Sequence, residues 1–541
     1  MHLLARLSLL VFGLIVSGSS PGFTTAVAAD PDEDTNRLES LTPEQARMLA
    51  RDFPGMKVTL ENRATGRVTL YACLPLNGLK AVDAEVAEAL AGYARGPLLL
   101  NGLTTLSAEA ARELAGHAHR LCLDGLTTLS SEAARALAQH KGDLSLNGLT
   151  TLSDEVADTL ARHGGHTLIL DGLTTLSAAT AATLARHRGD LSLGGLTTLS
   201  AEVARELARQ KHGSVRLNGL ATLSAEAARA LARHEGHALV LNGLTELPDA
   251  VADGLARHRG TLVLNGLTTL SDESAGALSQ REGKIHLDGL TGLTHAALAA
   301  KLVREHAALN LNSLTSLSDE AAGALAQNDG TLNKELRLDG LKTLSTAAAR
   351  ALAGYDRNTL SLRGLTTLSE ETARALAEFK GRVLSLHGLT TLDADTGQAL
   401  AAAPQWDGEL PNLIAVDFPD SVAIAKALAT RKGLLSLPNL EKISPKTLAA
   451  LIEKRDVEMP PIEKLELIQE PDGSLTEDFV IPDWLAQRQQ AGGHGPRGRA
   501  LLDEGRRQKL LRKFDTDGDG TLSEIERAAA KEARARAEWD R

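Results

Sequence analysis

Leu98-Leu99-Leu100-Asn101-Gly102-Leu103-Thr104-Thr105-Leu106-Ser107-Ala108-Glu109-Ala110-Ala111-Arg112-Glu113-Leu114-Ala115-Gly116 carries two periods in one short string. Its first part, Leu98-x-Leu100, alternates as a strand with one buried face does. Thr104, Thr105 and Leu106 then turn the chain. Ser107 stands where a helix N-cap belongs, its oxygen available to a backbone N–H. Glu109 follows in the first turn, where negative charge suits the helix dipole. Ala110, Ala111, Leu114 and Ala115 recur at helical spacing and form one apolar face. Helix ends such as Arg162-His163-Gly164 place cations at the negative end of the dipole and a glycine where φ can turn positive. The local signals agree on strand, turn, short helix, turn.

The string returns every 23 or 24 residues. Its Asn/Asp position falls at Asn77, Asn101, Asp124, Asn147, Asp171, Gly194, Asn218, Asn242, Asn265, Asp288, Asn312, Asp339, Arg363 and His387, with one longer step before Asp339. Weaker copies occupy 41–49, 410–428, 435–451 and 465–467, as expected where terminal repeats must cap the core. One strand and one helix in about 24 residues cannot bury their apolar faces alone. Stacking the copies solves this, with parallel strands on one face and short helices on the other. The expected fold class is therefore α/β, a repeat solenoid.

The unit resembles the leucine-rich-repeat class in length and leucine spacing, over roughly residues 40–470. It departs from the family string L-x-L-x-x-N-x-L by running the shorter L-x-L-N-G-L, and its later V/L-T-x-I/L-turn-helix portion looks more like the divergent repeats of bacterial surface proteins. The resemblance implies a protein-interaction scaffold, with ligands met on the strand face. The outward strand position there holds Leu99, Cys122, Ser145, Ile169, Ser192, Arg216, Val240, Val263, His286, Asn310, Arg337, Ser361 and Ser385. Arg216, His286, Asn310 and Arg337 are the expected polar patch.

Composition narrows the function. The 541-residue chain has a net charge of −11 and only 2% aromatic residues, and its acids and bases are interleaved. Nucleic-acid binding needs a basic stripe, which the chain lacks. The N-terminus has Arg6, an apolar run over residues 7–16 and the small-residue end Ala26-Val27-Ala28-Ala29. That is the order of a secretory signal peptide, spanning 1–29. The apolar run is too short for a membrane span, which needs about 20 residues, and no other stretch is long enough. Export, to the medium or to the cell envelope and periplasm, is expected.

Several columns invite a chemical reading. The Asn/Asp column admits Arg363 and His387, so it reads as a surface turn position, Asn or Asp before Gly being chosen for backbone conformation. His117, His140, His163, His187, His234 and His258 recur at the helix end. One histidine per rung cannot converge on a single zinc ion, so they read as polar residues favoured near a helix C-terminus. Cys73 and Cys122 fall two repeats apart, beyond disulfide reach, and are expected to be free thiols. No nucleophile elbow, phosphate-binding glycine loop or HExxH motif occurs, so no catalytic residue is assigned and the chain is not read as an enzyme.

The most specific chemical signal is C-terminal. A flexible linker (481–499) leads to Asp515-Thr516-Asp517-Gly518-Asp519-Gly520-Thr521-Leu522-Ser523-Glu524-Ile525-Glu526. This string resembles the EF-hand calcium loop. Asp515, Asp517 and Asp519 match positions 1, 3 and 5, with Gly520 at the sharp turn. Thr521 offers its carbonyl, Ser523 acts directly or through water, and Glu526 closes the site as a bidentate ligand. Leu510, Leu511 and Phe514 lie on the incoming helix, and an Ala-rich exiting helix follows. No second complete loop is present: the stretch at Asp472-Gly473 has Ile468 and Phe479 where end ligands belong. The expected organisation is a signal peptide (1–29), a leucine-rich-repeat-like solenoid (30–480), the linker, and a small helical EF-hand tail (500–541). The expected function is an exported scaffold for an unknown protein or glycan, with a Ca²⁺-binding tail. The alternatives are a calcium-dependent assembly or adhesion element of the envelope, and a cryptic hydrolase or hydrolase accessory subunit.

Overall fold

The computed structural model describes residues 25–27, 35–62, 67–305, 308–327, 335–416 and 420–468. They fall into two compact units. The first runs to Thr366 and includes Glu378–Ser385; the second comprises Thr367–Ala377 and the chain from Leu386.

The first unit is a stack of rungs. Its main sheet has 12 strands in sequence order. The first three, Thr25–Val27, Met56–Asn62 and Arg67–Pro75, pair antiparallel. From Arg67–Pro75 onward every pairing is parallel, in a register that places Leu74, Leu98, Leu121, Leu144 and Leu168 side by side. A strand of only two or three residues is enough, because each rung needs just its Leu-x-Leu to reach the core. A second parallel sheet joins Ala308–Asn310, Glu335–Arg337, Thr359–Ser361 and Val383–Ser385. The stack has the leucine-rich-repeat-like arrangement of parallel strands alternating with helices.

Helices of seven or eight residues follow most strands, as in Ala108–Leu114, Ser131–Leu137 and Asp154–Leu160. Each begins at a serine with extended backbone. Ser107, Ser130 and Ser153 accept the N–H three residues on, as the capping reading requires. Leu98, Leu100, Leu103 and Leu114 are wholly buried, and their equivalents repeat this through the unit. Four leucines and paired alanines fill most rungs, and the few aromatics that enter the core, such as Tyr93 and Tyr355, are wholly buried.

The N-terminal end is built differently from the repeat expected at 41–49. The helix Pro43–Asp52 carries a complete capping box at Thr42 and Gln45, and it packs on the next helix, Ala84–Ala91. The place of the rung's strand, however, is taken by the 3-10 turn Thr35–Arg37, whose Asn36 accepts the Asn77 N–H, and the next rung's strand Arg67–Pro75 takes the antiparallel strand Met56–Asn62 as its partner. This ends the parallel series with a partner that needs no further rung.

The second unit holds the helices Glu370–Ala377, Ala394–Ala402, Ser421–Ala429 and Pro445–Ile452, packed in sequence. Their strands form two short parallel sheets, Ala415–Val416 with Lys442–Ile443 and Glu466–Leu467, and Leu435–Ser436 with Val457–Glu458. Trp406 is buried beneath the Arg431 guanidinium, 5.0 Å from its ring centroid. Among the described residues no helix is long and apolar enough to cross a membrane.

Candidate functional site

The recurring polar columns are consumed by the stack itself. At the Asn/Asp column, the side-chain oxygen of one rung accepts the backbone N–H of the next. Asn77 serves Asn101, Asn101 serves Asp124, Asp124 serves Asn147 and Asn147 serves Asp171, at 2.8 to 3.1 Å. The series resumes from Asn218 to Asn242, Asn265 and Asp288. The reading of a surface turn is therefore corrected: the column is a ladder. It admits carboxylates because its members are half-buried rather than sealed. The glycine after it also has another cause. A Cβ at Gly102 would lie 2.1 Å from the Asn77 carbonyl oxygen, so close approach of rungs, not a positive φ, requires glycine there.

The ladder follows a two-position rule that the sequence carries but its first reading passes over. Where the column holds Asp, the outward strand residue of the next rung is often Ser. Ser145 donates to Asp124 at 2.6 Å, Ser192 to Asp171 at 2.7 Å and Ser361 to Asp339 at 2.5 Å. A carboxylate has more lone pairs to satisfy than an amide oxygen, and the serine hydroxyl supplies the extra donor. Asp288 lacks this partner, since Asn310 stands at the matching place, and burial pushes its carboxyl up to about 6. The signal was legible as Asp followed 21 or 22 residues later by Ser.

The helix-end histidines are also corrected. They are not solvated cations but buried rings: His117, His140, His163, His187, His234 and His258 are at most 3% exposed. His117, His140, His163 and His187 stack on their neighbours at 5.8 to 6.5 Å between centroids, as do His234 and His258. Burial drives their pKa down, to about 3 for His163 and about 4 for His117, His234 and His258, so the imidazoles are neutral. Neighbouring imidazoles add to the depression for His163 and His234. The rest of the column shows what the position is for. Gln210 donates to the His187 carbonyl, Arg281 to that of His258 and Lys454 to that of Arg431. His117 and His140 present Nδ1 to the carbonyls of Ala91 and Ala115, each at 3.3 Å. Donor-tipped side chains thus tether several helix ends to the rung before them, while His163, His187, His234 and His258 fill the same place as packed rings.

The strand face is not the open binding surface that the resemblance implies. Ser145, Val263, Ser192 and Val240 are buried, because small side chains on neighbouring rungs cover one another. The expected polar patch is dispersed. Arg216 pairs with Asp190 at 2.6 Å and Arg337 with Glu335 at 2.9 Å, in different sheets. His286 lies three rungs from Arg216, and the Asn310 side chain lies outside the described residues. An open groove lined by His166, Arg188, Asp190, His212 and His237 runs along the loops between helix and strand. Cys73 and Cys122 are buried free thiols. The calcium loop residues Asp515, Asp517, Asp519, Thr521, Ser523 and Glu526 lie outside the described residues, as do most of 1–29 and all of 481–541.

In the second unit one cluster has the makings of a metal centre. His387 Nε2 lies 2.9 Å from Asp407 Oδ2 and 3.1 Å from Glu409 Oε2. Among the described residues this is the group of three such side chains whose ligand atoms lie within 4.8 Å of one another. The sequence placed His387 in the Asn/Asp column but gave no hint of its partners.

No protein-family model matches the chain, and no curated protein resembles it in sequence. Among solved structures, an internalin of Listeria monocytogenes aligns at 15% identity over 68% of this chain and 94% of its own, with a TM-score of 0.31. The Drosophila Toll–Spatzle complex aligns at 15% identity over 72% of this chain and 55% of that chain, with a TM-score of 0.37. The leucine-rich-repeat-like arrangement rests on the rungs described above.

Proposed function

We propose that the protein is an exported scaffold that binds a macromolecular partner, protein or glycan, through the exposed surface of its repeat stack, with a Ca²⁺-binding C-terminal tail. One observation carries this reading. The polar columns that look chemical are taken up by the stack: Asn/Asp and Gly join rung to rung, the cap serines close their own helices, and the histidines are buried rings. What is left outside is an extended surface of exposed threonine pairs, such as Thr104-Thr105 and Thr127-Thr128, and charged outer helix faces. A surface of that kind suits contact over many rungs rather than conversion of a small substrate.

Calcium enters through the match of 515–526 to the EF-hand loop, and export through the signal-like N-terminus. A lone hand in an exported protein is expected to bind Ca²⁺ in the roughly 10⁻⁴–10⁻³ M range of extracellular modules. Calorimetric titration of the full mature chain with Ca²⁺ tests the tail. One site lost in Glu526→Gln supports it; an unchanged isotherm in that variant removes the tail from the proposal. Affinity capture with the mature chain, with and without Ca²⁺, tests the scaffold, and failure to enrich any macromolecule over a scrambled-surface control would overturn it.

A further inference from the structure

We infer that His387, Asp407 and Glu409 form a binding site for a divalent transition ion of the zinc class, separate from the calcium loop and independent of the scaffold reading.

The argument begins with the ladder. Nearly all Asn and Asp residues of the column described above have a structural task, accepting the N–H of the next column residue. In the second unit that task disappears. His387 and Pro411 stand at the same place in consecutive rungs, because Leu389 N–H bonds Leu386 O as Leu413 N–H bonds Leu410 O. Proline has no N–H to give. The rung after it again has proline there, Pro438. The acceptor that the column elsewhere supplies is not needed at residue 387, and a histidine stands there.

The partner position is equally informative. Glu409 is the outward strand residue of its rung, bridged in parallel to Ser436. It lies 22 residues after His387, the spacing that joins Asp339 to Ser361. At four other rungs this pair of positions brings side-chain tips to hydrogen-bond distance. Here it carries an imidazole and a carboxylate. Asp407 adds the third group, and its orientation is fixed twice. Its second oxygen accepts the Glu409 N–H at 3.2 Å, and the residue before it is held where Arg431 donates to the Trp406 carbonyl at 2.6 Å. Gly408, at φ +80°, bends the chain between the two carboxylates.

One imidazole nitrogen and two carboxylate oxygens are a three-ligand set suited to Zn²⁺, with water in the fourth position. Ligand atoms on a tetrahedral zinc stand about 3.3 Å apart. His387 Nε2 is 2.9 and 3.1 Å from the two oxygens, and the three ligand atoms all lie within 4.8 Å of one another, so a modest opening around the imidazole makes room for the ion. His387 and Asp407 side chains are each 18% exposed and Glu409 52%, which leaves the ion a route in. A nitrogen ligand also separates this site from the all-oxygen calcium loop.

The test uses the full mature chain in excess Ca²⁺, which occupies the hard-oxygen loop. Co²⁺ serves as a spectroscopic probe and Zn²⁺ is titrated against a chromogenic chelator. The expected result is one Co²⁺ with tetrahedral ligand-field absorption, displaced by Zn²⁺. His387→Asn restores the residue the column uses elsewhere and is expected to fold, as circular dichroism would show. In it, and in the Asp407→Asn/Glu409→Gln double variant, affinity should fall by more than the roughly 10–100-fold that an outer-sphere change alone costs. His237→Asn, which removes an exposed histidine elsewhere, should change nothing. Absence of the Co²⁺ spectrum in the wild-type chain, or its survival in folded His387→Asn, would show that the cluster is only an ion-paired imidazole and overturn the inference.

Discussion

Asp124 and Ser145 show how much one residue's identity depends on a neighbour 21 positions away. Asp124 accepts both the Asn147 N–H at 2.9 Å and the Ser145 hydroxyl at 2.6 Å. Ser145→Val takes away one donor from a half-buried carboxylate and should destabilise the first unit by about 1–3 kcal/mol. Adding Asp124→Asn should recover most of that loss, because Asn218 followed by Val240 is the combination a neighbouring rung already uses. Denaturant unfolding of the two single variants and the double variant measures the coupling, and additive losses would refute the pairing rule.

A rung's helix is set by its two ends. At the start, Ser153 accepts the Val156 N–H at 3.3 Å, and Ser153→Ala should cost about 1 kcal/mol. At the end, the loop must pass close to the rung before it. A Cβ on Gly142 would stand 2.2 Å from the His119 carbonyl oxygen and 2.8 Å from His140 Nε2, with no positive φ involved. Gly142→Ala should therefore cost about 2–3 kcal/mol, more than the cap, because backbone rather than a flexible side-chain tip is in the way. Thermal melts of the two variants side by side check the order; a Gly142→Ala melt at or above that of Ser153→Ala would contradict it.

At the scale of the molecule, the buried histidines make the first unit sensitive to acid. Their folded pKa values, about 3 to about 4 where resolved, lie below the roughly 6.5 of an unfolded histidine. The unfolded chain therefore binds protons first. Stability is full above about pH 6.5 and falls by up to about 1.4 kcal/mol per histidine for each pH unit below it, until the folded pKa is reached. Asp288, raised to about 6, works in the opposite sense as one group against several. In the second unit the same column holds Arg431 and Lys454 in place of histidine. Hydrogen exchange, corrected for intrinsic rates, should lose protection over 117–258 between pH 6.5 and 4 while 394–452 keeps it. Uniform loss in both units would refute the assignment, as would none in the first. His163→Gln, using the residue the column holds at Gln210, should lessen the slope.

The sequence by itself determined the rung. The Leu-x-Leu strand, the serine cap, the alanine–leucine helix face and the 23- or 24-residue step are local patterns, and local patterns are written in consecutive residues. It also carried the calcium-loop string at 515–526, which stands on its own spacing. What each column meets one rung away is settled by stacking and is not written in consecutive residues. Asn101 read alone is a turn residue and becomes a ladder acceptor only when Asp124 N–H is placed above it. His163 read alone is a favourable helix-end cation and becomes a neutral core ring only when His140 and His187 close over it. Setting Asn36 of a 3-10 turn against Asn77, and bringing His387 to Asp407 and Glu409, are likewise contacts between rungs. A side chain's charge state and hydrogen-bond role follow from its surroundings, and in a stacked repeat those surroundings lie about 24 residues away along the chain.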